Sequence, residues 1–188
     1  HDAIVRSLRP PTAQVSMSVD HYENFPVASA LLPAALREPV AAIYVFARNA
    51  DDFADEGQLS AIERLRLLGE YQAELDAIEN GAPTRHPVFV RLRPVIAAHA
   101  LPLQLFRDLL DAFSQDVGKQ RYANYEELLD YCRRSADPVG RLLLHLFGAA
   151  TAENLRRSDC VCSALQLINH WQDVAIDSLI AWLFDQGF

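Results

Sequence analysis

Asp51 and Asp55, and again Asp173 and Asp177, stand four residues apart in a chain that otherwise reads as helices packed on helices. On an α-helix that spacing puts both carboxylates on one face, one turn apart, where they repel. The repulsion costs roughly 0.2–0.5 kcal/mol on an exposed helix, and more where an apolar neighbourhood strips water away. Two such pairs facing each other would form a cage of hard oxygen donors, which suits Mg²⁺ and the phosphates it shares. A lone D-x-x-x-D is equally what an acidic turn at a water-facing helix end looks like. Two of them in matching surroundings turn the reading towards a site.

The surroundings do match. Tyr44, Arg48, Asp51 and Asp55 step by four, three and four, which confines them to roughly 60–80° of helical arc. Ala41, Ile43, Val45, Phe46 and Phe53 fill the other directions, so this helix reads as largely buried. Gln166, Asn169, Asp173 and Asp177 repeat the stripe on a helix that also carries Leu165, Leu167, Ile168, Trp171, Val174 and Ile176. Amides and carboxylates on one line of an apolar helix need partners if buried, and a metal-bound diphosphate would supply them. His21 and Asn24 add polar groups near the start of the chain, and Tyr131 is followed by Arg133 and Arg134. Taken singly, these are ordinary solvated or packing side chains. Gly140 and Gly148 bracket a leucine-rich run that suits plain core packing or the smooth wall of an apolar slot.

With 188 residues and 51% hydrophobic content, the chain can bury one sizeable core. We expect a single domain over residues 1–188. A net charge of −8 and the lack of any Lys/Arg run exclude a nucleic-acid footprint. The three cysteines, Cys132, Cys160 and Cys162, make no C-x-x-C pair, so a reducing, cytoplasmic setting is expected. No apolar stretch is long enough to span a membrane, and no secretory leader pattern opens the chain.

Punctuation predicts an all-α chain. Helices are expected over about Asp20–Leu32, from Pro39 to near Gly57, and from the Ser60-x-x-Glu63 capping box to Asn80-Gly81. Others should open at Pro87 and at Pro102, the latter ending at Gly118. Asn124 should cap one, Asp137-Pro138 start one running through Ala150, and Ser158 cap a last long one through Asp177.

The segments HYENFPVAS (21–29), YVFARNADDFADEG (44–57), DAFSQDVGKQRY (111–122), YCRRSADPVG (131–140) and LQLINHWQDVAID (165–177) together resemble the squalene/phytoene synthase family. Within it, ENFPVAS, ADPVGR and WQDVAID look most like the hydroxysqualene-forming branch of bacterial hopanoid biosynthesis. The resemblance implies an isoprenoid synthase fold, all-α, with helices around a central apolar cavity. It implies Mg²⁺ held by Asp51, Asp55, Asp173 and Asp177. Diphosphate would be held by Arg48, Gln166, Asn169 and Asn24, with His21, Tyr44 and Tyr131 lining the reaction end. The implied substrate is presqualene diphosphate, or farnesyl diphosphate for other members. Implied partners are a membrane surface contacted peripherally and other hopanoid-pathway enzymes. Gln172 stands where related synthases often carry Arg, which fits the hydroxysqualene branch. No glycine-rich dinucleotide fingerprint appears, in agreement with water as the final trap. Ser178–Phe188 carries no match to the segments that follow the second motif in the family, so the sequence is expected to be incomplete.

The alternatives are another head-to-head synthase making presqualene diphosphate, squalene or phytoene, and a helical lipid-binding protein without catalysis.

Overall fold

The computed structural model describes residues 32–55, 59–119 and 121–185, with side chains described throughout except at 55 and 173–185. Among these residues every regular element is helical: α1 (Ala34–Asp55), α2 (Ala61–Glu79), α3 (Pro87–His99), α4 (Leu103–Asp116), α5 (Tyr125–Ser135), α6 (Asp137–Leu146) and α7 (Ala152–Asp185). The helix expected over 20–32 lies outside the described residues except at Leu32, which is a bend before α1.

Local capping accounts for most boundaries. Ser60 accepts the Glu63 N–H at 3.2 Å to open α2. Asn124 accepts the Glu127 N–H at 2.9 Å, while the Glu127 carboxylate takes the Ala123 N–H at 2.6 Å, so α5 starts on a reciprocal cap. Gly81 at φ 69° and Gly148 at φ 64° sit just past α2 and α6, in backbone geometry that L-residues avoid.

Three expected boundaries move. α1 begins at Ala34, after Pro33, and accommodates Pro39 inside its early turns. At the sixth helical position that proline forgoes the hydrogen bond an N–H there would give to the Ala35 carbonyl. α6 stops at Leu146 because the left-handed Gly148 ends it before Ala150. α7 begins at Ala152, not at Ser158: Thr151 Oγ1 accepts the Asn154 N–H at 3.2 Å, and Asn154 Nδ2 donates to the Ala149 carbonyl at 2.9 Å. Ser158 is an interior residue, and α7 continues past Asp177 to Asp185 without a break.

The core lies where α1, α2, α3 and α4 meet. Fully buried Phe46 of α1 packs edge-on against Phe89 of α3 (centroids 5.6 Å) and Phe106 of α4 (5.2 Å), and Tyr71 of α2 sits 5.7 Å away. Tyr71 also meets Phe53 and Phe89 at 5.1 and 4.8 Å. Each buried large apolar side chain contributes about 1.5–3 kcal/mol, so this quartet of rings anchors α1 firmly. At the surface, arginines clip neighbouring helices. Arg91 pairs with Glu38 (2.6 and 2.8 Å), Arg107 with Asp76 and Glu79 (2.9 and 2.7 Å), and Arg141 with Asp159 (2.8 and 2.6 Å). Exposed pairs add little stability, but bidentate arginines fix register.

Of the two readings left open for the glycine-bracketed run, packing is what the helices display. Leu142 and Leu146 point into the core. A Cβ on Gly140 would come within 2.3 Å of Ser158 Oγ and 2.5 Å of Cys162 Sγ, so the missing side chain is what lets α6 lie tightly on α7.

Candidate active site

The stripe on α1 is a charge cluster under partial cover. The Arg48 side chain is only 18% exposed; its Nη1 lies 3.3 Å from Asp51 Oδ2 and its Nε 2.9 Å from Asp52 Oδ1. One guanidinium thus serves two carboxylates, three and four residues along the same helix. That arrangement offsets part of the repulsion between the two carboxylates, because a cation lies within salt-bridge distance of both. Tyr44 is half-buried and packs on the core one turn before Arg48. Asp55 ends α1, and its side chain lies outside the described residues. Asp52 was given no role in the sequence reading, although its spacing from Arg48 is the signal that finds it.

Tyr131 belongs to a second cluster, where α4 ends, α5 packs on it and α7 passes. Its hydroxyl donates to Asp116 Oδ2 at 2.7 Å. The Tyr122 ring lies 5.4 Å from that of Tyr131, the His170 ring meets Tyr122 edge-on at 5.7 Å, and Lys119 Nζ stands 4.9 Å over the Tyr122 face. Burial first, and then the charge of Asp116, pushes Tyr122 up to about 12 and Tyr131 higher still, so both remain protonated donors. Asp116, Tyr122 and His170 were all within segments that carry the family resemblance. None stood out individually, because only folding brings them to Tyr131.

On α7, Gln166 is half-buried and Asn169 exposed. Asp173 and Asp177 lie further along the same helix, and their side chains are outside the described residues, as are His21 and Asn24 entirely. The residues brought into contact are therefore Arg48 with Asp51, and Tyr131 with Asp116 and Tyr122. α1 packs chiefly on α2, α3, α4 and α6, and α7 on α6 and α5. No group of three acidic, histidine or cysteine side chains assembles as a metal site among the described residues, a set that omits three of the four carboxylates expected to hold Mg²⁺.

A third polar feature lies between α5, α6 and α7. A cavity of about 420 Å³ is lined by Tyr125, Leu129, Arg133, Asp137, Arg141 and Ser163, among others. Asp137 is 4% exposed and accepts the Ser163 hydroxyl at 2.9 Å. Burial raises its pKa despite that bond.

Residues 19–184 match the family model for squalene/phytoene synthase. The chain is 41% identical to the hydroxysqualene synthase of Rhodopseudomonas palustris over 82% of its own length and 51% of that relative's. It is 31% identical to the presqualene diphosphate synthase of the same organism, over 86% of this chain and 57% of that protein. Among solved structures, it resembles squalene synthase HpnC from Alicyclobacillus acidocaldarius with a TM-score of 0.75 at 41% identity, covering 87% of this chain and 61% of that one. At that identity and overlap the fold is shared. The chain spans about half the length of the curated relatives it matches. The acidic stripe seated on a buried helix, the family model that runs through both D-x-x-x-D motifs, and the shared all-helical fold give one conclusion: this chain belongs to the squalene/phytoene synthase family.

Proposed function

We propose that the protein converts presqualene diphosphate and water to hydroxysqualene and diphosphate, with Mg²⁺ as cofactor. The observation that carries this reading is the contrast in identity, 41% to a hydroxysqualene synthase against 31% to a presqualene diphosphate synthase from one organism. The donor set suits the metal: carboxylate oxygens, no thiolate or imidazole, and an arginine already among them. In this reading Asp51, Asp55, Asp173 and Asp177 hold Mg²⁺, and Arg48, Gln166, Asn169 and Asn24 hold diphosphate. His21, Tyr44 and Tyr131 face the reacting carbons. Mg²⁺, when bound, supplies Lewis-acid stabilisation of charge on the departing diphosphate. Arg48 adds charge-assisted hydrogen bonds to the same oxygens. Apolar side chains keep bulk water from the carbocation until it has rearranged.

The test is product analysis. The purified protein, given presqualene diphosphate and Mg²⁺ without NADPH, yields an alcohol and free diphosphate. Consumption of farnesyl diphosphate with no alcohol from presqualene diphosphate overturns the branch and leaves a head-to-head synthase. Retention of a prenyl ligand irrespective of Mg²⁺, with no diphosphate release, leaves a lipid-binding protein.

An oily substrate and product place the protein, in the same reading, in the cytoplasm and at the inner membrane surface. Among the described residues no helix is long and apolar enough to cross a membrane, while Leu165 and Trp171 of α7 are more than half exposed. Peripheral contact predicts co-sedimentation with liposomes, and a protein that stays wholly in the supernatant refutes it. Other hopanoid-pathway enzymes are the expected protein partners.

A further inference from the structure

Arg48 stands between two unequal carboxylates. Its Nε lies 2.9 Å from Asp52 Oδ1, whereas its Nη1 lies 3.3 Å from Asp51 Oδ2. Nε and that Asp52 oxygen are both sealed from solvent, and the N–H does not aim along the line between them, so charge across a short gap joins them. The Asp51 contact is the longer one, and its side chain is the more open of the two, 38% exposed against 32%.

Asp52 is itself backed by the core. Burial pushes the Tyr71 phenol up to about 12; a hydrogen bond with Asn49 opposes the rise, and the nearby charge of Asp52 adds to it. Tyr71 is 2% exposed and interlocks with Phe46, Phe53 and Phe89, so the carboxylate that faces Arg48 lies against the packed side of α1. An arginine binds phosphate oxygens through a rigid fork of N–H donors, and the aim of that fork decides how well it does so. A partly buried guanidinium that loses one carboxylate is driven to another. The nearest at hand is Asp51, already in contact.

We propose that Asp52 is a positioning residue for diphosphate binding: it holds the Arg48 guanidinium in its receiving orientation and keeps it from closing on Asp51. This rests on the role of Arg48 in holding diphosphate proposed above, and it deepens that role. Asp52 acts through Arg48 and touches neither metal nor substrate. Its charge alone would act the other way. An anion beside an anion site repels the ligand, so removing that charge would tighten diphosphate binding, whereas removing the post that aims Arg48 loosens it.

The test is calorimetric titration of the purified chain with inorganic diphosphate at saturating Mg²⁺, arranged as a double-mutant cycle. Asp52→Asn, close to isosteric, should weaken binding roughly tenfold, about what one charge-assisted hydrogen bond contributes. Arg48→Gln should weaken it at least as much. In the double variant Asp52→Asn should add no further loss, because its effect passes through a side chain already removed. Asp52→Glu, which keeps the charge on a longer stem, should recover part of the affinity. Circular dichroism checks folding, and Asp52→Ser takes the place of Asp52→Asn if that variant does not fold. Unchanged or tighter binding in Asp52→Asn overturns the inference. So does a loss that adds in full to that of Arg48→Gln. Both outcomes leave the proposed reaction intact, since product analysis reads it separately. Wild type that binds no diphosphate with Mg²⁺ overturns the role of Arg48, and this inference with it.

Discussion

Tyr131 hands its hydroxyl hydrogen to Asp116 across the α4–α5 junction, 2.7 Å oxygen to oxygen. Both burial and the Asp116 charge oppose phenolate formation, burial the more. The unfolded chain releases this proton near the ordinary tyrosine value of 10.0, and the folded chain holds it. Between those two values the native state binds more protons, so stability falls as pH climbs above about 10. Asp116→Asn should move the Tyr131 titration downward, yet leave it above the ordinary value. Ultraviolet detection of phenolate reads this directly; no change on substitution would show that the carboxylate exerts no field on the ring.

Asp51→Asn and Asp173→Asn should each lower Mg²⁺-dependent diphosphate release at least about a hundredfold if these carboxylates hold the metal. Far-ultraviolet circular dichroism should stay unchanged, since Asp→Asn is nearly isosteric and leaves the helix backbone as it is. Activity within a factor of two of wild type in both variants would remove the metal assignment. Chelation of Mg²⁺ should abolish release in the wild type.

Gly140→Ala places a methyl carbon 2.3 Å from Ser158 Oγ and 2.5 Å from Cys162 Sγ. Overpacking of this kind costs about 1–3 kcal/mol, partly relieved if side chains rotate away. The urea midpoint should fall, and Ser158→Ala in the same chain should restore part of it. A Gly140→Ala protein as stable as wild type would mean that α6 and α7 separate without cost.

Asp137 carries its own pH signature. Its pKa is raised, chiefly by burial; Ser163, Arg141 and Arg133 oppose the rise, and Asp159 adds to it. The unfolded chain loses the proton near 3.8, where the folded chain still holds it. Stability should therefore decline as pH rises through the window between 3.8 and the raised native value. Asp137→Asn keeps an acceptor for the Ser163 hydroxyl and removes the charge. Its urea midpoint should exceed that of wild type at neutral pH and converge with it in acid. A variant less stable than wild type at pH 7 reverses the sign and refutes the assignment.

Where a residue acts on neighbours within one turn, the sequence was enough. Ser60, Asn124 and Pro87 mark their helix starts because caps are local, and Arg48 and Asp51 share one helix face by spacing. α7 was misplaced at its start because two plausible caps compete there. Thr151 wins, since Gly148 has already ended α6 and the intervening turn is stitched by Asn154. Asp116 was illegible for a different reason. Its partner is fifteen residues away across a loop, and only the docking of α5 on α4 makes an acid of it that matters. Gly140 was visible as a glycine, but its purpose depended on which side chains α7 would bring opposite it.

α7 is a single rod of 34 residues, seated on α6 where Gly140 meets Ser158 and Cys162. Asp177 lies about 22 Å beyond Cys162 along its axis at 1.5 Å per residue. A tilt of about 5° at that seat would displace the helix backbone at 177 by roughly 2 Å. The bare α-carbon of one glycine thus sets the angle at which the rod departs, and the far end, four helical turns away, magnifies it.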